Sequence, residues 1–197
     1  MLGYAKRCYS ESGLVFLHFT QYNYAERPWK DARMARTRLD EIDRQILSDL
    51  QENGRMTNVE LAQRAGISAP PCLRRVRVLE TDGYIRGYHA DLNAEKLGFE
   101  VTFFALIGLS TQAQDRLRAF EDLVRDWPSV RECNMVRGGG DFLLKLFARN
   151  TAHENELTQA LTSAPDVVRV TTFPVIRTDK SKPGVPIEYA PALGEEG

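Results

Sequence analysis

Hydrophobic residues recur at a helical period in the first regular part of the chain. Ile42, Ile46 and Leu50 lie four residues apart, a pattern typical of one buried helix face. Asp40 precedes the pattern, and acidic side chains suit the exposed N–H groups at a helix start. The pattern therefore predicts a first helix that ends at Gly54.

Two further helices are predicted directly downstream. Residues 57–60, Thr-Asn-Val-Glu, have the pattern of a capping box, which opens a short helix that ends at Gly66. Ser68 is expected to cap a third helix that runs to about Asp82. An extended segment is expected over residues 84–92.

The second half of the chain alternates strand and helix patterns. Val101–Leu109 is a nearly unbroken apolar run, which suits a central strand. The elements predicted after it are a helix around 117–127, strands at 130–137 and 142–149, a helix around 157–164 and a strand at 167–176. This βαββαβ order is the ferredoxin-like arrangement. The expected fold class is α+β, with an N-terminal winged helix-turn-helix joined to a C-terminal ferredoxin-like domain.

Charge and cysteine content narrow the class of protein. The 26 Lys and Arg residues nearly cancel the 27 Asp and Glu residues, so overall charge neither requires nor excludes a nucleic-acid partner. Three separated cysteines without a CxxC pair argue against a disulfide scaffold and a cysteine-built zinc site. With no apolar run of membrane-spanning length, we expect a cytoplasmic protein without a membrane partner, a metal or another cofactor.

Residues 1–37 follow neither a helical nor a strand period. Residues 1–38 contain seven basic and three acidic side chains, and Met34 stands just before the regular pattern. Two interpretations stay open for residues 1–37: a disordered basic arm, or a segment that precedes the natural start of the chain.

Arginines cluster on the predicted third helix. With about 100° per residue, Arg74 and Arg75 are expected opposite the packed face, with Arg77 to one side. The predicted packed face consists of Leu73, Val76 and Leu79. Arginine bonds phosphate or guanine with two parallel hydrogen bonds, and the second helix of a helix-turn-helix enters the major groove. The alternative is an arginine face that is only solvated.

A glycine-rich turn is expected between the second and third strands. Residues 138–141 read Gly-Gly-Gly-Asp. Glycine lets a ligand approach the backbone N–H groups, which bind carboxylates, and Asp141 is able to pair with an ammonium group. The alternative is a hairpin turn whose Asp side chain bonds only the nearby backbone.

These motifs together resemble those of the Lrp/AsnC family of bacterial and archaeal regulators. The similarity rests on residues 58–77, on Gly83-Tyr-Ile-Arg-Gly-Tyr88 and on the Val136-Arg-Gly-Gly-Gly-Asp-Phe142 turn, and it covers about residues 38–190. It implies a DNA-binding domain over 38–92, a linker over 93–99, an effector-binding and oligomerisation domain over 100–190 and a flexible tail over 191–197.

The resemblance also implies site residues and partners. The expected DNA-binding residues are Asn58, Ser68, Ala69, Pro70, Pro71, Arg74, Arg75 and Arg77. The expected effector-binding residues are Gly138, Gly139, Gly140, Asp141 and Thr172. Family members pair through their sheets and often assemble into octamers, so the chain itself is an expected partner. Leucine is the first expected effector, because the third helix is most similar to the leucine-responsive branch of the family.

The sequence therefore predicts a sequence-specific DNA-binding regulator of amino-acid metabolism or transport, modulated by a small amino acid. An enzyme is not expected, because the three histidines form no recognisable triad or metal site. Two rival functions stay open: a small enzyme on a ferredoxin-like fold, and a nucleoid-organising protein with little effector control.

Overall fold

The computed structural model describes residues 39–187. In chain order its α-helices and strands are α1 Glu41–Glu52, α2 Asn58–Arg64, α3 Ala69–Thr81, β1 Val101–Leu109, α4 Gln114–Arg125, β2 Val130–Met135, β3 Phe142–Ala148, α5 Thr151–Thr162 and β4 Val167–Pro174, with a short 3-10 helix at Glu95–Leu97 before β1. The predicted order of elements is confirmed. The arm or early start predicted for residues 1–37 and the tail at 191–197 lie outside the described residues.

Capping boxes begin the first two helices. At α1 the Asp40 side chain accepts a hydrogen bond from the Asp43 N–H at 2.8 Å, and the Asp43 side chain accepts one from the Asp40 N–H at 3.3 Å. At α2, Thr57 and Glu60 exchange the same pair of bonds, as predicted. Ser68 is the N-cap residue of α3, but its side chain makes no capping bond there, so that expectation is wrong in its detail.

The three helices enclose a small core of their own. Ile46, Leu61, Cys72 and Leu79 are buried at its centre. The predicted packed face of α3 is wrong at one position, since Leu73 is 40% exposed. Cys72 takes its place, because α3 meets α1 and α2 along a line rotated by part of a turn from the predicted one. Residues 85–93, which follow this core, form neither helix nor strand.

The second domain is a four-stranded antiparallel sheet in the order β2-β3-β1-β4. The expected central strand, β1, pairs with β3 on one side and with β4 on the other. Phe103, Ala105 and Ile107 of β1 face a core that α4 and α5 cover. Thr102, Phe104 and Leu106 point to the opposite, open face, because side chains alternate along a strand.

The chain after β4 returns to the three-helix domain. The Gln51 side-chain amide on α1 donates to the Val185 carbonyl oxygen at 2.9 Å and accepts from the Val185 N–H at 2.8 Å. These two bonds connect the domains at a second place besides the segment between α3 and β1. Within the described residues, no helix combines the length and the apolar character needed to cross a membrane.

The first prediction concerns the pH dependence of stability at the start of α1. The Asp43 N–H and then the Arg75 guanidinium hold the pKa of Asp40 below its ordinary value of 3.8. Ionised Asp40 therefore stabilises the fold above about pH 4, and this contribution is lost as pH falls through the lowered pKa. We expect Asp40→Asn, which keeps a good N-cap residue, to unfold in less urea than the parent at neutral pH. The difference should shrink below pH 3.8.

Glu41→Gln is the matched control, because it removes a neighbouring exposed carboxylate that takes no part in the capping box. Urea unfolding followed by circular dichroism from neutral to acidic pH measures the effect. A parent-to-Asp40→Asn difference that stays constant across this range would contradict the prediction.

Candidate DNA-binding surface and ligand pocket

Helix α3 presents one exposed face. Pro70, Arg74 and Arg77 are exposed, and Val78 lies beside them at 43% exposure. Ser68 is exposed just before the helix, whereas Ala69 and Pro71 are half-buried. The expected DNA-binding residues at 68–77 are therefore divided between this face and its flanks.

Arg75 departs from its expected position on the exposed face. Its Nη1 donates to Asp40 Oδ2 at 2.7 Å and to Asp43 Oδ1 at 2.8 Å, so it is ion-paired to the start of α1. The side chain is 32% exposed. These two hydrogen bonds raise the pKa of the guanidinium further above its ordinary value. The helix is rotated so that Arg77, and not Arg75, shares the open face with Arg74.

Asn58 also takes part in contacts within the domain. Its Nδ2 donates to the Ala69 carbonyl oxygen at 2.9 Å, which ties the start of α2 to the start of α3. Its Oδ1 is buried without a hydrogen-bond partner. Asn58 therefore joins the two helices of the motif, and its expected role toward DNA stays a prediction.

The 138–141 turn is held by the Asp141 side chain. Asp141 Oδ2 accepts from the Leu109 N–H at 2.7 Å, and Oδ1 accepts from Gln112 Nε2 at 2.8 Å. The Asp141 N–H itself donates to the Ile107 carbonyl oxygen at 2.7 Å. The carboxylate is buried and fixes the turn against the end of β1.

Gly140 lies closer to β1 than a side chain allows. A Cβ atom there would stand 2.8 Å from the Ile107 carbonyl oxygen and from Leu106 Cγ. Gly138 has φ of +130°, a backbone conformation that favours glycine. Two of the three glycines are therefore required by geometry. Gly139 is not, since a Cβ atom there would lie 3.6 Å from its nearest neighbour.

A shallow pocket of about 460 Å³ opens beside this turn. It is lined by Gly108, Leu109, Gln112, Gly138, Gly140, Asp141, Val168 and Arg169. Its cation, Arg169, lies over Gly108 of the neighbouring strand and donates to the Gly139 carbonyl oxygen. Sequence reasoning missed Gln112 and Arg169. The register of β4 against β1 brings Arg169 to the turn, and the loop after β1 brings Gln112 to Asp141.

Thr172 does not line this pocket. It pairs with Ala105 on β1, and paired residues point to the same face of a sheet. Ala105 faces the helices, whereas Arg169 pairs with Gly108 on the open face. The structure therefore separates Thr172 from the other expected effector residues by the thickness of the sheet.

Neither described cysteine belongs to a catalytic arrangement. Cys72 is buried in the helical core, and burial raises the pKa of its thiol. Cys133 is exposed on β2, where desolvation by its neighbours and then the Glu121 carboxylate raise the pKa of its thiol to about 11, so both side chains are thiols at neutral pH. Among residues 39–187, no group of three or more His, Cys, Asp or Glu side chains is arranged to hold a metal ion.

Comparison with known families agrees with this architecture. Residues 39–86 match the winged helix-turn-helix DNA-binding domain, and residues 102–185 match the Lrp/AsnC ligand binding domain. The two domains together define a DNA-binding transcriptional regulator that carries a ligand-binding domain. The chain belongs to the Lrp/AsnC family of such regulators.

Curated relatives are similar over most of their length. The leucine-responsive regulatory protein of Rhizobium meliloti is 49% identical over 148 residues, which are 75% of this chain and 95% of the relative. The protein of the same name from Escherichia coli K12 is 39% identical over 79% of this chain and 91% of its own length.

Solved structures share the fold. An AsnC family regulator from Agrobacterium tumefaciens superposes with a TM-score of 0.72 at 28% identity, over 77% of this chain and 99% of its own. A Neisseria meningitidis transcriptional regulator in complex with L-Met gives a TM-score of 0.72 at 35% identity, over 76% and 97%.

The second prediction contrasts two adjacent glycines of the turn. We expect Gly140→Ala to lower stability by about 1–3 kcal/mol, since the added methyl group must displace backbone or Leu106. Gly139→Ala is the control, because its methyl group meets only ordinary contacts. Thermal melting of the two variants measures the difference. Equal melting temperatures would show that the turn adapts without strain.

Proposed function

We propose that this regulator controls genes of amino-acid metabolism or transport, as a homo-oligomer that binds double-stranded DNA through α3 and responds to a small amino acid. Leucine is the proposed effector, and the two leucine-responsive relatives support this choice. The observation that carries the DNA-binding part is the exposed α3 face with Arg74 and Arg77.

DNA recognition is proposed to use this face in the major groove. Arg74 and Arg77 lie three positions apart and therefore share one side of the helix. Both are exposed, so their guanidinium groups are accessible to base edges or phosphates. Ser68 and Pro70, at the start of α3, are proposed to approach the DNA backbone, because the N-terminus of a helix favours phosphate.

The effector is proposed to bind at the pocket beside the 138–141 turn. An amino acid needs a cationic or N–H partner for its carboxylate and an anionic partner for its ammonium group. Arg169 and the glycine N–H groups provide the first. Asp141 provides the second, since each of its two bonded oxygens retains a further lone pair. The volume of about 460 Å³ lies within the usual range for small-ligand pockets.

A second copy of the chain is proposed to cover the open face of the sheet. This face carries apolar side chains, with Phe173 49% exposed and Phe104, Leu106, Leu143 and Phe147 half-buried. An apolar surface of this kind favours association. Homodimers formed in this way present two α3 helices to two half-sites, and we propose that four dimers assemble into an octamer.

The third prediction tests DNA reading by Arg74 and Arg77. A duplex is first selected from a random-sequence library with the parent chain, and its affinity is compared with that of a shuffled duplex. Replacing a base-reading arginine by alanine should cost about 1–3 kcal/mol and relax the sequence preference, whereas losing a phosphate contact should reduce the salt slope by about one. Fluorescence anisotropy at several salt concentrations measures both quantities.

Arg118→Ala, on the exposed side of α4, is the control for loss of a positive charge elsewhere. Unchanged affinity in Arg74→Ala and Arg77→Ala would remove this face from the interface. If no duplex were preferred over its shuffled form, a nucleoid-organising role would replace sequence-specific regulation.

The fourth prediction concerns the effector. Arg169→Gln and Asp141→Asn should each weaken leucine binding about tenfold or more, because a charged partner is lost. Asparagine keeps an acceptor for the Leu109 N–H, so the turn is retained. Isothermal titration with leucine and with methionine measures binding, and sedimentation velocity with and without each amino acid measures assembly.

Thr172→Val is the matched control, since Thr172 lies on the helix-covered face and should not affect binding. Loss of leucine binding in Thr172→Val together with normal binding in Arg169→Gln would move the site to that face. If methionine bound and leucine did not, the proposed effector would be wrong and the pocket would remain.

A further inference from the structure

Arg75 belongs to a hydrogen-bond network that uses every oxygen of two carboxylates. Asp40 Oδ1 accepts from the Asp43 N–H, and Asp43 Oδ2 accepts from the Asp40 N–H. The remaining oxygens, Asp40 Oδ2 and Asp43 Oδ1, accept from Arg75 Nη1 at 2.7 and 2.8 Å. The capping box of α1 and its ion pair with α3 are therefore one unit, called here the Asp40–Asp43–Arg75 cluster.

This arrangement argues against a direct contact between Arg75 and DNA. To bond guanine or phosphate, the guanidinium would have to give up two charge-assisted hydrogen bonds, which are stronger than neutral ones. Asp43 is buried, so its carboxylate would lose a partner that water only partly replaces. The two acids also leave the cluster with a net negative charge, which repels phosphate.

We propose that Arg75 is a positioning residue for DNA recognition: the Asp40–Asp43–Arg75 cluster fixes the rotation of α3 about its axis and thereby presents Arg74 and Arg77 to the groove. The inference rests on the proposed DNA-binding role of that face. Its geometric basis is that one residue corresponds to about 100° of rotation. Arg74 directly precedes Arg75, and Arg77 follows it by two positions, so holding Arg75 against α1 sets the direction of both neighbours.

Side-chain hydrogen bonds also restrain the two ends of α3. At its start, the Asn58 amide bonds the Ala69 carbonyl oxygen. Near its end, the Tyr88 hydroxyl donates to the Glu80 carboxylate at 3.1 Å. Neither contact is an ion pair. The cluster adds an ion pair at the middle of the helix, beside the exposed Arg74 and Arg77.

Substitution of the two acidic partners of Arg75 distinguishes positioning from direct contact, because the two roles predict opposite changes in DNA affinity. If Arg75 contacted DNA, Asp40→Asn/Asp43→Asn would release it and remove two negative charges, and binding would strengthen. If Arg75 positions α3, the same double variant weakens binding to the selected duplex. Asparagine is a good N-cap residue at position 40, and at position 43 its side-chain oxygen still offers an acceptor for the N–H of residue 40, so α1 keeps its start in this variant.

The experiment uses the full chain with the selected and shuffled duplexes described above. We expect Arg75→Gln and Asp40→Asn/Asp43→Asn each to reduce the affinity ratio between selected and shuffled duplex about tenfold. The slope of log affinity against log salt should stay at the parent value, because no phosphate contact is removed. Titration at high protein concentration gives the active fraction, which separates lost specificity from lost folded protein.

Glu41→Gln is the control, since it removes a single adjacent exposed charge outside the cluster and should leave the affinity ratio unchanged. A double variant that binds the selected duplex as tightly as the parent, or more tightly, would overturn the proposal. So would a salt slope lowered by about 0.9 in Arg75→Gln, the signature of a lost phosphate contact.

If the double variant has a low active fraction, the single variant Asp40→Asn is the test of the positioning role. Asp43 still bonds Arg75 in this variant, so we expect an affinity ratio between those of the parent and of Arg75→Gln. An unchanged ratio in this single variant would count against the cluster. Failure of the parent chain to select any duplex is a separate outcome, which refutes the proposed DNA reading and the positioning role with it.

Discussion

Strand β1 lies inside the sheet between β3 and β4, and the alternation of its side chains determines which residues line each face of the ligand-binding domain. Phe103, Ala105 and Ile107 point to the helices and form the core. Phe104, Leu106 and Gly108 point to the opposite face of the sheet. On that face Gly108 leaves room for Arg169, and Leu106 packs against the glycine turn. The same alternation leaves an apolar face without helices. The core, the pocket and the apolar open face thus follow from one strand buried on one side only.

Features determined by near neighbours in sequence are readable from the sequence. The capping box at Thr57 and Glu60 and the bounds of Val101–Leu109 agree with the structure, because each depends on residues within a few positions of one another. The βαββαβ order follows in the same way from alternating periods. The glycine turn is also readable, although the requirement for Gly140 arises from its contact with β1.

Features determined by residues far apart in sequence are not readable from the sequence. The direction of Arg75 depends on Asp40 and Asp43, more than thirty residues earlier, and helical periodicity alone leaves the orientation of α3 uncertain by part of a turn. Thr172 lies on the wrong face for the pocket because the register with β1 assigns its side. Arg169 reaches the turn through that same register. A sequence pattern specifies neither a register nor a helix rotation, and both enter only with tertiary packing.

The Gln51–Val185 contact has a consequence for the order in which the molecule is completed. Its two hydrogen bonds join residues 134 positions apart, so α1 leaves the ribosome long before Val185 is synthesised. The helical core consists of residues 39–85 alone, so all of its members are available before Val185 is made, as is general for N-terminal domains during synthesis. The entropic cost of closing a loop grows only slowly with the length of the loop. Most of the conformational freedom of this loop is already lost once β4 has joined the sheet. A segment made late in synthesis thus attaches to a helix made early, and the contact closes residues 51–185 into a loop.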